Sequence, residues 1–309
     1  MRTASIMLLV LLLCLTNFLD AKTIKVPQDF AKIQLAINAA VNGDTVLVAE
    51  GIYTENLFIN KKITLASLFL QDKDTSHISK TIIDGSQPSN ADSASVIHIT
   101  TGSDSTTVIQ GLTIRQGKGT TYYEIASGRI WIAGGGIFVS AGGATIINNR
   151  IIQNTLTGKV GAPDVYGAGI AIYPALGALS PWLVKDNFIG YNTAEGHYLE
   201  GGGVWCTGTG KFLNNIVINN SATAVNTLGA NYYANGGGIG MGEMASIDVE
   251  NNYVSKNSCS NEGGGLSCYA VAGSSTVVRF KNNIFTGNVA QTHAAAIQIN
   301  GGDVTFVNN

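Results

Sequence analysis

Proline is scarce in this chain, with 5 among 309 residues. Charge is sparse too: 12 % Asp, Glu, Lys and Arg, with a net of −2. There are only 4 cysteines. Each shortage excludes something. So few prolines, with so small a net charge, do not make a disordered composition. So little positive charge excludes a nucleic-acid-binding face, which must neutralise phosphates. So few cysteines exclude a dense disulfide framework. Beyond the N-terminus no apolar run is long enough to cross a bilayer.

What is abundant is glycine, at 38 residues, alongside many asparagines and 45 % apolar residues. An apolar fraction of that size supplies a core, so the chain is not disordered. Glycine and asparagine share a tolerance for the left-handed backbone region that sharp turns use. Apolar content with both residues therefore predicts short strands joined by many tight turns.

The first 21 residues read as a secretory signal. Arg2 supplies the positive start, Ile6 to Leu15 the apolar stretch, and Ala21 a cleavage point. An uncleaved anchoring helix is the alternative. The expected organisation is a signal over 1–21 and one domain over 22–309, secreted or at the cell surface, acting as a monomer.

That domain is a repeat. Glycine-rich blocks begin at Gly134, Gly167, Gly201, Gly236 and Gly263, with a degenerate block at Ala294, so successive spacings are 33, 34, 35, 27 and 31 residues. After each block comes an Asn-Asn or Asp-Asn pair ending at Asn149, Asn187, Asn215, Asn252, Asn283 and Asn309. Another asparagine follows, at Asn154, Asn192, Asn220, Asn257 and Asn288. Between blocks the apolar period is two, which is strand and not helix. Ile137, Ile170, Val204, Ile239, Leu266 and Ile297 form one inward column. Val139, Ile172, Cys206, Met241, Cys268 and Ile299 form a second. The residues between them, Phe138 and Trp205 included, are expected to face outward.

These columns predict an all-β, right-handed, single-stranded parallel β-helix. Coils stack at ~4.8 Å, so equivalent residues form ladders. Asparagines fall at corners, where their amides can bond from coil to coil. Cys206 and Cys268 sit two rungs apart, ~9.6 Å, too far for a disulfide. Cys259 falls in a loop. A solenoid needs its open end covered, and an amphipathic helix over 27–41, with Phe30, Ile33, Ile37 and Ala40 on one face, is expected to cap it. The chain stops inside a repeat at Asn309, which reads as a fragment of a longer protein.

The opening resembles a known group. Val26-Pro27-Gln28-Asp29-Phe30, Ile33-Gln34-Leu35-Ala36-Ile37, Gly43-Asp44-Thr45-Val46-Leu47-Val48 and Gly51-Ile52-Tyr53 look like the start of β-helix proteins of the pectin-lyase-like superfamily. Gly111-Leu112-Thr113-Ile114 looks like a turn of the same group. The resemblance implies the fold and an extended polymer, polysaccharide first, as partner. It does not imply one activity, because that superfamily holds lyases, hydrolases, esterases and adhesins. A lyase would use a basic residue and often calcium. A hydrolase would use close carboxylates. No such motif transfers residue by residue, so no cofactor is expected, with calcium kept for the lyase case.

The candidate chemistry lies just before the glycine blocks, in the column Tyr166, Glu200, Asn235, Glu262, His293. Glu262 is expected beside His293, and Glu200 two rungs away, ~9.6 Å, near the spacing of an inverting carboxylate pair. Solvated corner residues are the plainer reading of Glu200, Glu262 and His293. Trp205, Phe138, Tyr198, Tyr232 and Tyr233 are candidates for stacking on sugar rings, with packing beneath loops as the alternative. His197 with Glu195 and Glu200 is a weak metal pattern, and no metal site is assigned. Arg115, Lys118 and Arg129, around an insertion from Gly117 to Ala133, are candidates to contact an acidic polymer, with solvation favoured. Two functions remain: a binding module without turnover, or a polysaccharide lyase or glycoside hydrolase working on the outer face.

Overall fold

The computed structural model describes residues 21–124, 127–174, 181–226, 232–242, 245–270 and 275–309. The segment expected to be a signal, apart from Ala21, lies outside them.

The chain winds into a right-handed parallel β-helix. Sheet A has ten strands, from Thr23–Val26 to Asp303–Val307. Sheet B has eight, from Gly51–Thr54 to Ile284–Thr286, and sheet C eight, from Leu57–Ile59 to Ile297–Asn300. These three sheets enclose the main core. One coil runs through Thr145–Ile147 of sheet A, Arg150–Ile152 of sheet B and Ile170–Ile172 of sheet C.

Register follows the sequence columns. Ile137 pairs with Ile170, Ile170 with Val204, Val204 with Ile239, Ile239 with Leu266 and Leu266 with Ile297. Ile146, Val184, Phe212, Val249, Phe280 and Phe306 stack likewise in sheet A. Ile137 through Leu266 are fully buried. Each such side chain contributes ~1.5–3 kcal/mol of hydrophobic stabilisation.

Three corners of each repeat coil take a left-handed residue, one of them the first residue of the glycine block, from Gly134 to Gly263. At another, the first asparagine of the pair supplies it, at Asn148, Asn214, Asn251 and Asn282, with φ between 54° and 57°. The second makes the ladder. Asn187 Nδ2 donates to Asn215 Oδ1 at 3.1 Å, while Asn187 N donates to the same oxygen at 3.0 Å. The parallel ladder runs Asn154, Asn192, Asn220, Asn257, Asn288, with amide bonds of 2.9–3.0 Å. At that corner the left-handed residue is not always asparagine: Gln153, Tyr191 and Lys256 take it.

The coil has an outgrowth that the repeat pattern did not announce. Between sheets B and C it makes a side loop of two further sheets. Sheet E has five strands, from Thr155–Thr157 to Val289–Ala290. Sheet D has six, among them Arg129–Ala133, Asp164–Tyr166, Tyr198–Glu200 and Tyr233–Asn235. A second small core of Leu156, Val165, Ala194, Leu199, Ala222 and Ala234 lies between them. Cys259 belongs to it: the residue sits in a strand, Ser258–Cys259, and not in a loop. All three described cysteines are buried and free.

Two further expectations are corrected. The capping helix spans Ile33–Ala39 only, with Ile33, Ala36 and Ile37 buried. Its start is fixed by Glu55, whose carboxylate accepts from Ile33 N at 2.8 Å and Gln34 N at 3.0 Å. The insertion before Ala133 is an antiparallel hairpin, Gly119–Glu124 against Arg129–Ala133. It covers the outer face of sheet C, so Phe138 is fully buried instead of exposed.

Candidate functional site

Sheet D carries the site because its strands alternate. Val165, Leu199 and Ala234 pair in register and point into the second core. Their neighbours therefore point out. One outward column holds Trp131, Asp164, Tyr198 and Tyr233. The other holds Ala133, Tyr166, Glu200, Asn235, Glu262 and His293. The register expected for Glu200, Glu262 and His293 thus holds: Asn235 stands between the two glutamates, and Glu262 Oε1 lies 3.3 Å from His293 Nδ1.

Asp164, Tyr198 and Tyr233 of the first column and Tyr166, Glu200, Asn235 and Glu262 of the second floor an open groove of ≈ 870 Å³, whose lining does not include His293. Arg129 and Leu199 of sheet D, Tyr269 and Asn300 of sheet C, and Pro163 and His197 of the turns between sheets E and D complete its lining. Glycine blocks set the angle between sheets D and C. Gly201 has φ +74°, and its Cβ would run into the carbonyl of Val204.

Asp164 and Glu200 each hold a donor. Arg129 Nη2 meets Asp164 Oδ2 at 2.6 Å and donates to the Tyr166 hydroxyl at 3.2 Å. Trp205 Nε1 donates to Glu200 Oε2 at 2.9 Å. Burial, then the Glu200 carboxylate, pushes the Tyr166 phenol well above its ordinary range. Tyr198 and Tyr233 stack with centroids 5.8 Å apart and planes 24° off parallel, both more than a third exposed.

Two polar atoms here have no partner. His197 is 1 % exposed, and its Nδ1 lacks a hydrogen bond; so does the buried Oδ1 of Asn235. Such a group costs ~1–3 kcal/mol when left dry, and it invites a ligand or an ordered water.

Of the aromatic candidates, Tyr198 and Tyr233 line the groove. Tyr232 is exposed but outside the lining. Trp205 and Phe138 are corrected. Trp205 is 6 % exposed, packed at 4.6 Å from Tyr166 and stacked on Tyr173, so it supports Glu200 from behind. Phe138 stacks on His98 and meets Trp131 edge-on. For both, the alternative of packing beneath an insertion holds, although sequence spacing did not show which residues the hairpin folds over. Arg129 and Asp164 face the groove as an ion pair. Asp164 escaped notice, although its place two residues before Tyr166 puts it on the same face. Arg115 pairs instead with Asp84 at 2.8 Å. Glu195 is exposed on sheet E, and the described residues hold no group of three metal-ligating side chains.

No protein-family model matches the chain, and no curated protein does. Among solved structures it is similar to the pectin methylesterase from Aspergillus niger, in a penultimately deglycosylated and in a deglycosylated form. The first is 12 % identical, with 85 % of each chain covered and a TM-score of 0.43. The second is 12 % identical, covering 85 % of this chain and 84 % of the other, with a TM-score of 0.41.

Proposed function

We propose that this protein is an exported β-helix module that binds an extended polysaccharide in the groove on sheet D. The observation that carries the reading is the floor of that groove. Exposed, stacked Tyr198 and Tyr233 run beside a polar column of Glu200, Asn235 and Glu262. Sugar rings offer an apolar face to aromatic groups and hydroxyls at their edges. Two parallel columns, one aromatic and one polar, match both, and coil spacing repeats them along the polymer. Among the described residues no helix is long and apolar enough to cross a membrane.

Glycoside hydrolysis is the second reading, favoured by one feature: Glu200 and Glu262 flank Asn235 at two-rung spacing, ~9.6 Å between backbones. Glu200 already holds a donor, the Trp205 indole, which suits binding better than proton transfer.

The test is incubation of the purified protein with neutral, acidic and amino polysaccharides, with and without calcium. Retention is read by affinity electrophoresis, and turnover by reducing ends and unsaturated products. Retention without product, lost in Tyr198→Ala/Tyr233→Ala, supports the binding module. Product formation abolished by Glu262→Gln replaces it with the enzyme. No retention of any polymer rejects both.

A further inference from the structure

We infer that the helical segment over residues 68–80 is a pH-operated flap on the outer face of sheet B, latched by a doubly protonated His77 bridging Glu50 and Asp72. In the repeat coils a two-residue asparagine corner joins sheet A to sheet B. Here strand Thr64–Ser67 is followed by helices Phe69–Asp72 and Ser76–Lys80 before strand Thr81–Asp84 resumes the coil. The second helix packs on Thr81–Asp84 and Thr113–Arg115, and Thr113 Oγ1 donates to Ile78 O at 2.7 Å. Apolar burial holds the flap weakly. The first helix buries Phe69 alone and the second buries no residue. A helix so short is marginal without tertiary support, and segments with few buried contacts open first.

The ring of His77 supplies the hold. Its Nδ1 lies 2.8 Å from Glu50 Oε1, in the corner of the preceding coil, and its Nε2 lies 3.0 Å from Asp72 Oδ2. An ionised carboxylate only accepts, and a neutral imidazole has one N–H. Both bonds together therefore require the imidazolium. The bond to Asp72, then that to Glu50, raises the His77 pKa from 6.5 against the opposing effect of burial. The other charges nearby are engaged. Asp74 accepts from Ser76 N and Oγ, Lys80 Nζ lies 3.3 Å from Glu50 Oε1, and Lys73 sits over the Phe69 ring. Beneath the second helix, Asp84 and Arg115 pair at 2.8 Å. Closure is thus fully supported below pH 6.5 and weakens as pH rises through the raised value. Opening uncovers Ile82 and Thr113, which share an outward column with Arg150, Phe188, Ile216, Tyr253 and Ile284. The last three are exposed, so the open flap lengthens an apolar stripe.

The experiment is amide hydrogen exchange of the full chain at about pH 5.5 and about pH 8.5, on either side of the histidine range, read as protection relative to unstructured rates. Peptides from 69–80 should lose protection about threefold at the higher pH, the worth of one exposed ion pair. Strand Thr209–Leu213 should not change, in the natural chain or in either variant, which establishes the fold. His77→Gln offers one donor at every pH. It should hold the flap near the natural chain's high-pH protection at both values, and Glu50→Gln should show a smaller pH step. The His77 pKa, read by proton NMR, should lie above 6.5 and fall in Glu50→Gln. Equal flap protection at both pH values in the natural chain overturns the latch. An undiminished pH step in His77→Gln overturns it as well.

Discussion

Trp205 Nε1 donates to Glu200 Oε2 at 2.9 Å, joining sheet C to sheet D across the glycine corner. The indole is packed among Tyr166, Tyr173 and Trp131, so it holds the carboxylate from a rigid support. Trp205→Phe keeps most of the packing and removes the donor. It should cost ~1.5–3 kcal/mol in denaturant unfolding and weaken glycan binding. Unchanged stability and affinity would show that the indole does not position Glu200.

The asparagine ladder should be the most sensitive part of the scaffold. Asn220 receives bonds from Asn192 N and Nδ2, and donates to Ile189 O and Asn257 Oδ1. Asn220→Ala strands several buried groups at once, so a loss of about 3 kcal/mol or more is expected. Asn214, exposed beside the other ladder and donating to Asp186 Oδ1 at 3.0 Å, should cost far less when replaced by glycine, which keeps the left-handed backbone. Urea midpoints of the two variants decide it.

Ala294 sits where the other coils place glycine and is held at φ 53°. A left-handed alanine costs roughly 1–2 kcal/mol, and glycine gives back part of that through greater freedom of the unfolded chain. Ala294→Gly should therefore raise the urea midpoint by the equivalent of ~0.5–1 kcal/mol. A lower midpoint would mean that the Ala294 side chain contributes packing that outweighs its strain.

His98 lies between Phe58 and Phe138 and bonds to Ser140 Oγ at 2.8 Å. Burial lowers its pKa from 6.5 to about 4. The folded state thus keeps it neutral while the unfolded state takes up the proton. Stability from this group is present above 6.5 and is lost as pH falls towards about 4. His98→Gln should flatten the unfolding profile across that window, as read from urea midpoints against pH.

The thiols point the other way. Burial raises Cys259 and Cys268 from 9.0 to about 11. The unfolded chain releases these protons first, so stability should decline as pH rises from 9.0 towards about 11. In the native state near neutral pH, a thiol reagent should label none of the described cysteines until denaturant is added.

The main core was legible because a ladder repeats its own residue type: Ile137 over Ile170, Asn187 over Asn215. The charged column before the glycine blocks was legible for the same reason, and Glu262 does meet His293. The outgrowth was not. Its strands offer the second core one apolar side chain each, Leu156 and Val165 in one coil and Ala194 and Leu199 in the next, and one position per strand shows no period. Nor could Trp205 and Phe138 be placed, since the rings that bury them arrive from a hairpin paired antiparallel at a distance. The left-handed corner at Gln153, Tyr191 and Lys256 escaped because no single residue type marks it.

The most direct measurement is amide hydrogen exchange, with and without an oligomer of the polysaccharide that the protein retains. Slowed exchange should concentrate at Tyr198–Glu200, at Tyr233–Asn235 and around Glu262, with sheets A and B unchanged. Protection on the outer face of sheet B, or no change in the groove under saturating ligand, would contradict the account.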